Sequence, residues 1–499
     1  MQGGNLAGDR YILRQATMTR LIAAAYNLDV ANVQGGPSWL DWDRYDIVAK
    51  APPATSKEAI RLMLQSLLAQ RFGLVVHTGT APMPIYVLTA QKDKARLKAS
   101  EGAGDPICMG QPQRANQGPG AIPQVEVICH NETMEKFAEF LQMVEGAYQS
   151  GTAKPVVDST GLNGAYDLDL KWTPIQLLAR AGGDGISLFD AMDKELGLKL
   201  TLETAPLPVL IVGGVNETPT PNLPDLDKHM PPLPPSQFDV AVIKPSEPGE
   251  RISFTPRGDR ADWRAITLKD HIRFAWDINF HDDESLVGAP KWLGEDRFDI
   301  LAKFPGDDSA VAAPGAPQLL QEELRQMLRA LIEDRFQMKE HLENRAVTAY
   351  HLIAAGPRLT PADPKARTRC DEGPGPDGKD PRIVHPELNR LLTCQNITMA
   401  QFGVLLENLA NEYIYSPVLD DTGLKGSYNF TLSFSSIGLI APLGGGAPPP
   451  DGAQQAAEPN GAISLFDAVK NQLGLKLEKQ KRIEPVLVID HIEQQPTAN

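Results

Sequence analysis

The sequence predicts an α+β protein built from two tandem homologous modules, and two observations lead to this class. The first is that several blocks of the 499-residue chain occur twice, in the same order. The second is that, within each copy, helical patterns of apolar residues are followed by short runs typical of strands. We therefore expect each module to contain about four helix-plus-β-hairpin units with mainly antiparallel sheets.

The repeated blocks indicate duplication of a whole domain. Their offset grows from 250 residues at Gly8 and Gly258 to 277 residues at Ile186 and Ile463, so the second copy carries extra loop residues. A solenoid would instead repeat every ~20–50 residues. The matched blocks are Gly8–Tyr26 with Gly258–Trp276, Gly35–Lys50 with Gly288–Lys303, Met63–His77 with Met327–His341, Pro155–Leu170 with Pro417–Leu432, and Ile186–Leu200 with Ile463–Leu477.

The blocks divide the chain into a first module at residues 1–217, a proline-rich linker at 218–236 and a second module at 237–499. We expect the linker to be a semi-extended spacer. The second module opens with an alternation of Phe238, Val240 and Val242 that predicts a strand, and the first module lacks this opening strand. We interpret the difference as truncation at the start, which would also remove an export signal. No signal peptide is visible in Met1–Gln15.

The elements of the first module follow in order from local patterns. The helical pattern TMTRLIAAAY leads to the strand pattern RYDIVAK, and IRLMLQSLLAQRF leads to two strand patterns, GLVVHTG and MPIYVLTAQ. A third helical pattern, TMEKFAEFLQMV, leads to the block Pro155–Leu170. Thr133, and Thr398 in the second copy, precede such helices, so we expect them to act as helix N-caps although both complete an N-x-T glycosylation pattern.

The block PVVDSTGLNGAYDLDL predicts two strands joined by a turn. Gly161 and Gly164 can adopt the positive φ that such a connection needs. Asp158 and Thr160 can accept hydrogen bonds from nearby backbone amides. The second copy repeats these four residues, which indicates that the same turn forms twice.

The last helix of the module is predicted with both of its ends. Ser187 is expected to be the N-cap, Leu188, Met192 and Leu196 form one apolar stripe, and Gly197 fits a left-handed C-cap. The patterns LKLTLE and VLIVGGV then supply two further strands. The same pattern recurs from residue 464 onward.

Composition and charge exclude several classes of function. The net charge is −15 and no Lys/Arg run is present, which opposes nucleic-acid binding because phosphate contacts need clustered cations. No apolar stretch is long enough to span a membrane. We find no zinc-protease, nucleophile-elbow, Walker or dinucleotide-binding pattern and expect no cofactor and no metal site. The glycine-rich stretch Leu443–Pro450 runs into prolines and is interpreted as a loop.

The four cysteines form two matched pairs, Cys108 with Cys129 and Cys370 with Cys394. We expect one disulfide per module, each closing a long loop and contributing about 3 kcal/mol. Free buried thiols are the alternative, and the spacing fits no zinc site. Disulfides would indicate an oxidising compartment.

Trp39 with Arg44, and Trp292 with Arg297, form the most distinctive matched polar-aromatic group. They could form a ledge that binds a ligand in each module. We therefore treat these four ledge residues as candidate binding residues. The alternative, which we favour on general grounds, is a tryptophan packed on the core beside a surface Asp–Arg pair worth under ~1 kcal/mol.

Other matched polar residues are interpreted as structural. His77 and His341 could be general bases or metal ligands, but no second histidine is matched between the copies. Asp158 and Asp420 could be catalytic acids, with a role in the turn as the alternative. Asp46 and Asp299 alternate with Lys50 and Lys303 along a strand, which predicts its solvated face.

Taken together, several of these motifs resemble those of a domain of unknown function that is expanded as paralogues in Acidobacteria. The resemblance rests on FDVAVIKPS, ITLKDHIRFAW, GAPKWLGEDRFDILAK, MLRALIEDRFQMKEH, CQNITMAQF, VLDDTGLKGSYNFTL and ISLFDAVKNQLGLKLEKQ, followed by PVLVIDHIEQQPTAN. It spans nearly all of Phe238–Asn499 and, without the first strand, Gly8 to about Pro219. It implies an exported protein and offers no catalytic residues.

Matched architecture without matched chemistry favours a non-catalytic extracytoplasmic binding protein. Its partner would be an unknown protein or an envelope polymer, and two modules would suit bivalent engagement. Strand edges of the small sheets could accept an extended peptide. A hydrolase using His77/His341, Arg71/Arg335 and Asp158/Asp420 is one alternative, and a structural envelope component is another.

Overall fold

The computed structural model describes most of both modules. The described residues are 4–7, 9–52, 54–91, 96–100, 102, 104–112, 124–148, 154–181, 185–222, 224–226, 237–257, 260–280, 282–305, 321–375, 380–440 and 461–498. Most of the predicted linker and the glycine-rich stretch Leu443–Pro450 lie outside them. The protein is α+β, with mainly antiparallel sheets.

Strands of the first module are β1 Asn5–Ala7, β2 Arg10–Thr17, β3 Val33–Gly35, β4 Arg44–Lys50, β5 Val75–Ala90, β6 Lys98–Ala99, β7 Ile107–Pro112, β8 Val125–Thr133, β9 Val156–Asp158, β10 Ala165–Trp172 and β11 Leu198–Gly214. Those of the second are β12 Val240–Pro245, β13 Ser253–Arg257, β14 Arg260–Thr267, β15 Leu286–Val287, β16 Arg297–Lys303, β17 Lys339–Ala354, β18 Thr360–Pro361, β19 Arg369–Glu372, β20 Arg390–Ile397, β21 Val418–Asp420, β22 Tyr428–Phe434 and β23 Leu475–His491.

Helices occur at matched places in the two modules. They are α1 Met18–Tyr26, α2 Lys57–Phe72, α3 Met134–Tyr148, α4 Ile175–Ala181 and α5 Leu188–Ala191, then α6 Leu268–Ala275, α7 Gln321–Arg335, α8 Met399–Leu409, α9 Ile437–Ile440 and α10 Leu465–Ala468. Helices α5 and α10 continue as π-helical turns, Met192–Leu196 and Val469–Leu473. Short 3-10 turns occupy Val30–Asn32, Ser38–Asp41, Lys291–Gly294 and Pro381–Ile383.

The predicted caps and turns are confirmed. Ser187 accepts a hydrogen bond from Asp190 N at the start of α5, and Gly197 ends the π-helical turn in the left-handed region at φ 66°. Thr398 and Gln401 form a capping box at the start of α8. Thr133 accepts from Lys136 N at 3.3 Å in the same way. These positions were predictable because each depends on its immediate neighbours in the chain.

The repeated turn also forms as predicted, but it connects different sheets. Gly161 and Gly164 have positive φ, and Asp158 Oδ1 accepts from Thr160 N at 2.8 Å. Strand β9 then pairs in parallel with β5, whereas β10 pairs with β8 in another sheet. The two strands of the block are therefore not a hairpin.

The described part of each module contains three sheets, which we name by their most obvious feature. The N-terminal sheets have the strand orders β1-β2-β4 and β12-β16-β14-β13. The long-strand sheets have the orders β3-β11-β5-β9 and β15-β23-β17-β21. The disulfide sheets have the orders β6-β10-β8-β7 and β18-β22-β20-β19.

The long strands differ from the predicted hairpins. Strands β5 and β11 are continuous over 16 and 17 residues and pair antiparallel along their whole length, as β17 and β23 do. The segments TAPMP and TAPLP in their middles contain no residue suited to positive φ, so no tight turn forms. Pro82 lies opposite Pro206, where the short strands β3 and β9 leave the ladder without outer neighbours. Proline is tolerated at such edges because its missing N–H is not needed.

Each long-strand sheet joins two hydrophobic cores. In the first module, Leu210 and Val212 on β11 pack under the N-terminal sheet with α1 and α2. Leu198 and Leu200, at the other end of the same strand, pack under the disulfide sheet with α3 and α5. The second module repeats this division.

Both predicted disulfides are confirmed. Cys108 is bonded to Cys129 and Cys370 to Cys394. In each case the two cysteines lie directly opposite each other on neighbouring strands, β7 with β8 and β19 with β20. The bond therefore fixes the register of one edge strand in each disulfide sheet.

The modules contact each other through Arg367, which precedes β19. Its guanidinium forms an ion pair with Asp41, and both side chains are mostly buried. It also donates to Val33 O at 3.0 Å, Gly35 O at 3.3 Å and Thr19 Oγ1 at 2.8 Å. One side chain of the second module thus fills a polar site on the first.

Candidate binding site

The second module has an edge strand that the first lacks within the described residues. Strand β12 pairs antiparallel with β16. In the first module β4, the counterpart of β16, pairs only with β2 in the part of the chain that the structure describes. Among these residues the other edge of β4 has no paired strand, and an unpaired edge of backbone N–H and C=O groups is the arrangement that accepts another strand. We call it the open edge.

The second module shows which residues form this edge. Ser246 N donates to Arg297 O at 2.9 Å, so alternate residues of β16 starting with Arg297 direct their backbone groups toward β12. The counterparts on β4, which direct theirs toward the open edge, are Arg44, Asp46, Val48 and Lys50.

The helix beside the open edge is uncovered as well. Met327 on α7 is 2% exposed, whereas its counterpart Met63 on α2 is 45% exposed. Arg335 on α7 donates from Nη1 to Ala241 O of β12 at 3.3 Å. Arg335 therefore links the C-terminal end of α7 to β12 in the second module. The matching face of α2 borders a groove of about 320 Å³, lined by Met63, Ser66, Leu67, Gln70 and Arg71.

Arg71 and Arg335 hold the end of their own module in the same way. Arg71 donates through Nε and Nη2 to Thr220, and Arg335 donates through the same two atoms to Thr497. Arg71 Nη2 also bonds Asn222. The difference lies at Nη1, which in Arg335 reaches the edge strand and in Arg71 has no hydrogen-bond acceptor among the described residues.

A carboxylate at the same position differs sharply between the modules. Asp299 is 3% exposed, which corrects the prediction that it lies on a solvated face. It accepts from Ser246 Oγ at 2.6 Å and from Ala265 N at 3.0 Å, and it pairs with Arg264 and with Lys244 of β12. Burial alone would raise the pKa of Asp299, but these hydrogen bonds and charges hold it below its ordinary value.

In the first module the corresponding network is incomplete. Asp46 is exposed, as predicted, and accepts from Gln15 N at 2.8 Å. Arg14, the counterpart of Arg264, has a buried Nε that finds no hydrogen-bond partner among the described residues. The groups supplied by β12 and the residue after it in the second module, Lys244 and Ser246, have no equivalent in the described residues.

One end of the open edge is acidic. A hydrogen bond shared with Asp43, together with burial and charge repulsion, raises the pKa of Glu217. Burial, with these two carboxylates nearby, raises the pKa of Tyr45 to about 12. Asp46 adds a third carboxylate on the same strand, so this end favours a cationic partner group.

The four predicted ledge residues lie on or next to β4 and β16. Their contacts are ring packing and hydrogen bonds to backbone carbonyls. Trp39 is half-buried and meets the ring of Tyr45 edge-on at 6.2 Å, and Trp292 packs similarly on the core of its own module. Arg44 donates to Gln15 O at 2.9 Å and Arg297 to Ala265 O at 2.5 Å.

Gln15 and Ala265 are themselves special, since both have positive φ at an irregularity in the strand pairing. The two arginines therefore brace matched bulges. Ligand binding by the four ledge residues stays a prediction.

The residues of the hydrolase hypothesis do not form one site. His77 lies near the start of β5, and Asp158 pairs with Leu88 near its end. Positions 77 and 88 are eleven residue steps apart along the strand, which corresponds to about 36 Å. His341 instead forms an exposed pair with Asp490 at 2.8 Å.

Two classes of site are absent from the described residues. No cluster of three or more His, Cys, Asp or Glu side chains there could hold a metal ion. No described helix is both long and apolar enough to cross a membrane.

The missing strand is visible in the sequence, whereas the exposed face of α2 is not. Met63 was not singled out because a methionine at helical spacing is ordinarily part of a core. The available signal was its pairing with Met327 in a copy that does have the strand.

Comparison with known proteins supplies a family but no function. The model of a family described as protein of unknown function (DUF3738) matches residues 19–215 and 269–492. No curated protein and no solved structure shows significant similarity to the chain. The two matched stretches correspond to the two modules and together cover most of the sequence. The chain therefore belongs to the DUF3738 family, as a tandem pair of its domains.

Proposed function

We propose that this chain is a non-catalytic binding protein that captures an extended polypeptide segment at the edge of β4 that is unpaired within the described residues. The observation that carries the proposal is the comparison between the modules. One scaffold occurs twice, and in the second copy β12 pairs with the sheet edge whose counterpart on β4 is unpaired within the described residues. Strand addition suits such a site because main-chain hydrogen bonds supply affinity and alternate side chains supply specificity.

An extracytoplasmic location is part of the proposal. All four cysteines are paired in disulfides. Disulfides persist in oxidising compartments and are rare in the cytosol. A partner would accordingly be another exported or envelope protein.

The second module serves, in this proposal, as the completed form of the scaffold. Its corresponding edge is occupied by β12, so strand capture there would require β12 to leave. The contact of Arg367 with Asp41 holds the second module against the first. Bivalent capture, which the duplication also suggests, would need a second surface elsewhere.

The experiment compares the chain with a variant whose open edge is closed. Residues 237–247 are grafted before Met1 through a flexible linker, so that a copy of β12 can pair with β4. Both proteins are used to isolate partners from an envelope extract of the native cells, and bound proteins are identified by mass spectrometry. A second graft with Ile243→Asp in the added segment serves as the matched control, because it has the same length but cannot pack on the core.

The proposal expects a partner that is retained by the original chain and the Asp graft and is lost with the closed variant. Partners retained equally by all three proteins would overturn capture at this edge. The isolation of no partner by the original chain would count against a binding role.

A further inference from the structure

We infer that the Cys108–Cys129 disulfide of the first module undergoes thiol–disulfide exchange with a dithiol, and that Glu132 donates the proton that the departing Cys129 sulfur needs. The co-reactant is a dithiol reductant, such as the paired thiols of another protein. The inference does not depend on strand capture at β4, because it concerns a different sheet.

A carboxyl group occupies a core position beside this disulfide. Glu132 is 6% exposed, and its Oε2 lies 3.9 Å from Cys108 Sγ. The matched residue in the second module is Ile397, which is fully buried in the core. Both residues follow an asparagine with positive φ, Asn131 at 52° and Asn396 at 53°. The same backbone therefore places an acid in one module where the other has an aliphatic side chain.

The surroundings of Glu132 favour its protonated form. Burial raises the pKa of Glu132, and the charge of Glu139 acts in the same direction. The charge of Lys136 and a hydrogen bond from the backbone N–H of Thr133 oppose this rise only in part. A raised pKa keeps more of the carboxyl group protonated as the pH approaches neutrality, and the protonated form is the one that can donate.

The two sulfur atoms of the disulfide differ in accessibility. Cys129 is fully buried, whereas Cys108 is partly exposed on β7, the outer strand of the described sheet. An incoming thiolate can therefore reach Cys108, and Cys129 has to depart into the core. A thiolate there is unfavourable because burial disfavours the charged form. A neighbouring acid solves this problem by protonating the sulfur as it departs.

The exchange proceeds in two balanced steps. In the first, one thiolate of the dithiol attacks Cys108 Sγ, the bond to Cys129 breaks, and Cys129 Sγ leaves with the electron pair and takes the proton of Glu132. In the second, the other thiolate attacks the reductant sulfur bound to Cys108, and Cys108 leaves and takes a proton from solvent. The dithiol is oxidised to a disulfide and releases its two protons, the protein disulfide is reduced to two thiols, and Glu132 regains a proton from solvent.

The second disulfide has no acid at the matched position. Cys394 is 2% exposed and Cys370 is partly exposed, so the accessibility of the two sulfurs is the same as in the first module. Ile397 cannot protonate Cys394 as it departs. The chain therefore provides its own comparison, with two similar disulfides that differ in the side chain beside them.

The test measures the reduction of each disulfide in the full folded chain. Dithiothreitol is added under native conditions, samples are alkylated at intervals, and the two cysteine pairs are quantified separately by mass spectrometry. We expect Cys108–Cys129 to be reduced about tenfold or more faster than Cys370–Cys394. Equal rates, or faster reduction of Cys370–Cys394, would overturn the inference.

Two substitutions examine the proton donor. Glu132→Gln keeps the size and polarity of the side chain but cannot act as an acid, and Glu132→Ile copies the second module. Each should slow the reduction of Cys108–Cys129 about tenfold. The rate for Cys370–Cys394 should stay unchanged, which makes this pair the internal control. Reduction of Cys108–Cys129 in Glu132→Gln as fast as in the original chain would show that the carboxyl group is not the donor.

The pH dependence gives a readout that a role in packing would not change. Rates are divided by the concentration of dithiothreitol thiolate, so that the remaining dependence comes from the protein. For the original chain the corrected rate should fall as the pH rises and Glu132 loses its proton, whereas the rate for Glu132→Gln should be flat. Identical profiles for the two proteins would assign Glu132 a structural role and overturn the inference. So would hydrogen exchange showing that β7 and β8 open at the rate of reduction.

Discussion

His271 is a buried titratable residue of the second module whose counterpart in the first module cannot titrate. Its ring is buried in α6, with Nδ1 3.0 Å from Thr267 O, and no described residue forms a hydrogen bond with Nε2. Burial lowers its pKa to about 4. The matched position in the first module is Leu21, which is equally buried. The buried site therefore accepts a side chain about the size of leucine. An imidazole fits there in its neutral form, because burial disfavours the charged form.

We predict that His271 destabilises the protein as the pH falls. Above pH 6.5 the ring is neutral in both the folded and the unfolded chain, so it has no effect. Between pH 6.5 and about 4, only the unfolded chain binds the proton. The free energy of unfolding should therefore decrease by about 3 kcal/mol over this range.

The measurement is denaturant unfolding at pH 7 and pH 4.5 of the original chain and of His271→Leu, which copies the first module. The difference between the two proteins isolates the histidine from other titrating groups. The variant should lose less stability on acidification. A parallel pH dependence in both proteins would contradict the prediction.

At the scale of elements, each disulfide joins an edge strand to its neighbour in a four-stranded sheet. Cys129 and Cys394 are buried beneath α3 and α8 respectively, so these bonds lie between the sheet and its core. The loops they close span 21 and 24 residues, and much of the first loop lies outside the described residues.

We predict that removal of either disulfide lowers the free energy of unfolding by about 3 kcal/mol, because the unfolded chain regains the freedom of a closed loop. The variants are Cys108→Ser with Cys129→Ser, and Cys370→Ser with Cys394→Ser. A thiol titration in denaturant should find no thiols before reduction and four afterwards. Four thiols before reduction would contradict the pairing.

How much of the fold the sequence could predict depended on how local each signal was. The caps at Ser187 and Thr398 and the turn at Gly161 depend on a few neighbouring residues, and they were predicted correctly. The continuity of β5 and β11 depends on their pairing with each other across more than a hundred residues. A pattern of short apolar runs separated by prolines does not reveal such a partner, so hairpins were predicted in their place.

The candidate site was predictable in one respect. The absence of a counterpart to Phe238–Pro245 was visible in the sequence, and so was the possibility of peptide capture at a strand edge. The exposure of Met63 and the unpaired Nε of Arg14 depend on packing between elements, and no pattern in α2 or β2 indicates either.

At the scale of the whole molecule, the contact between modules is not a copy of any contact within one. Arg367 inserts among Thr19, Val33, Gly35 and Asp41 of the first module. In the second module the positions of Thr19 and Asp41 are occupied by Lys269 and Gly294. Lys269 would repel an arginine placed there, and Gly294 offers no carboxylate to pair with it, so the second module lacks the site that Arg367 occupies on the first.

We predict that Arg367→Gln loosens the two modules, because Asp41 then stays mostly buried without its cation and two backbone carbonyls lose a donor. The loss should be about 2 kcal/mol of contact energy. Arg369→Gln is the matched control, since it removes the same charge from an exposed position two residues away. Small-angle X-ray scattering should show a larger radius of gyration, and limited proteolysis should cut residues 223–236 faster, for Arg367→Gln only. Equal behaviour of the two variants would show that Arg367 does not hold the modules together.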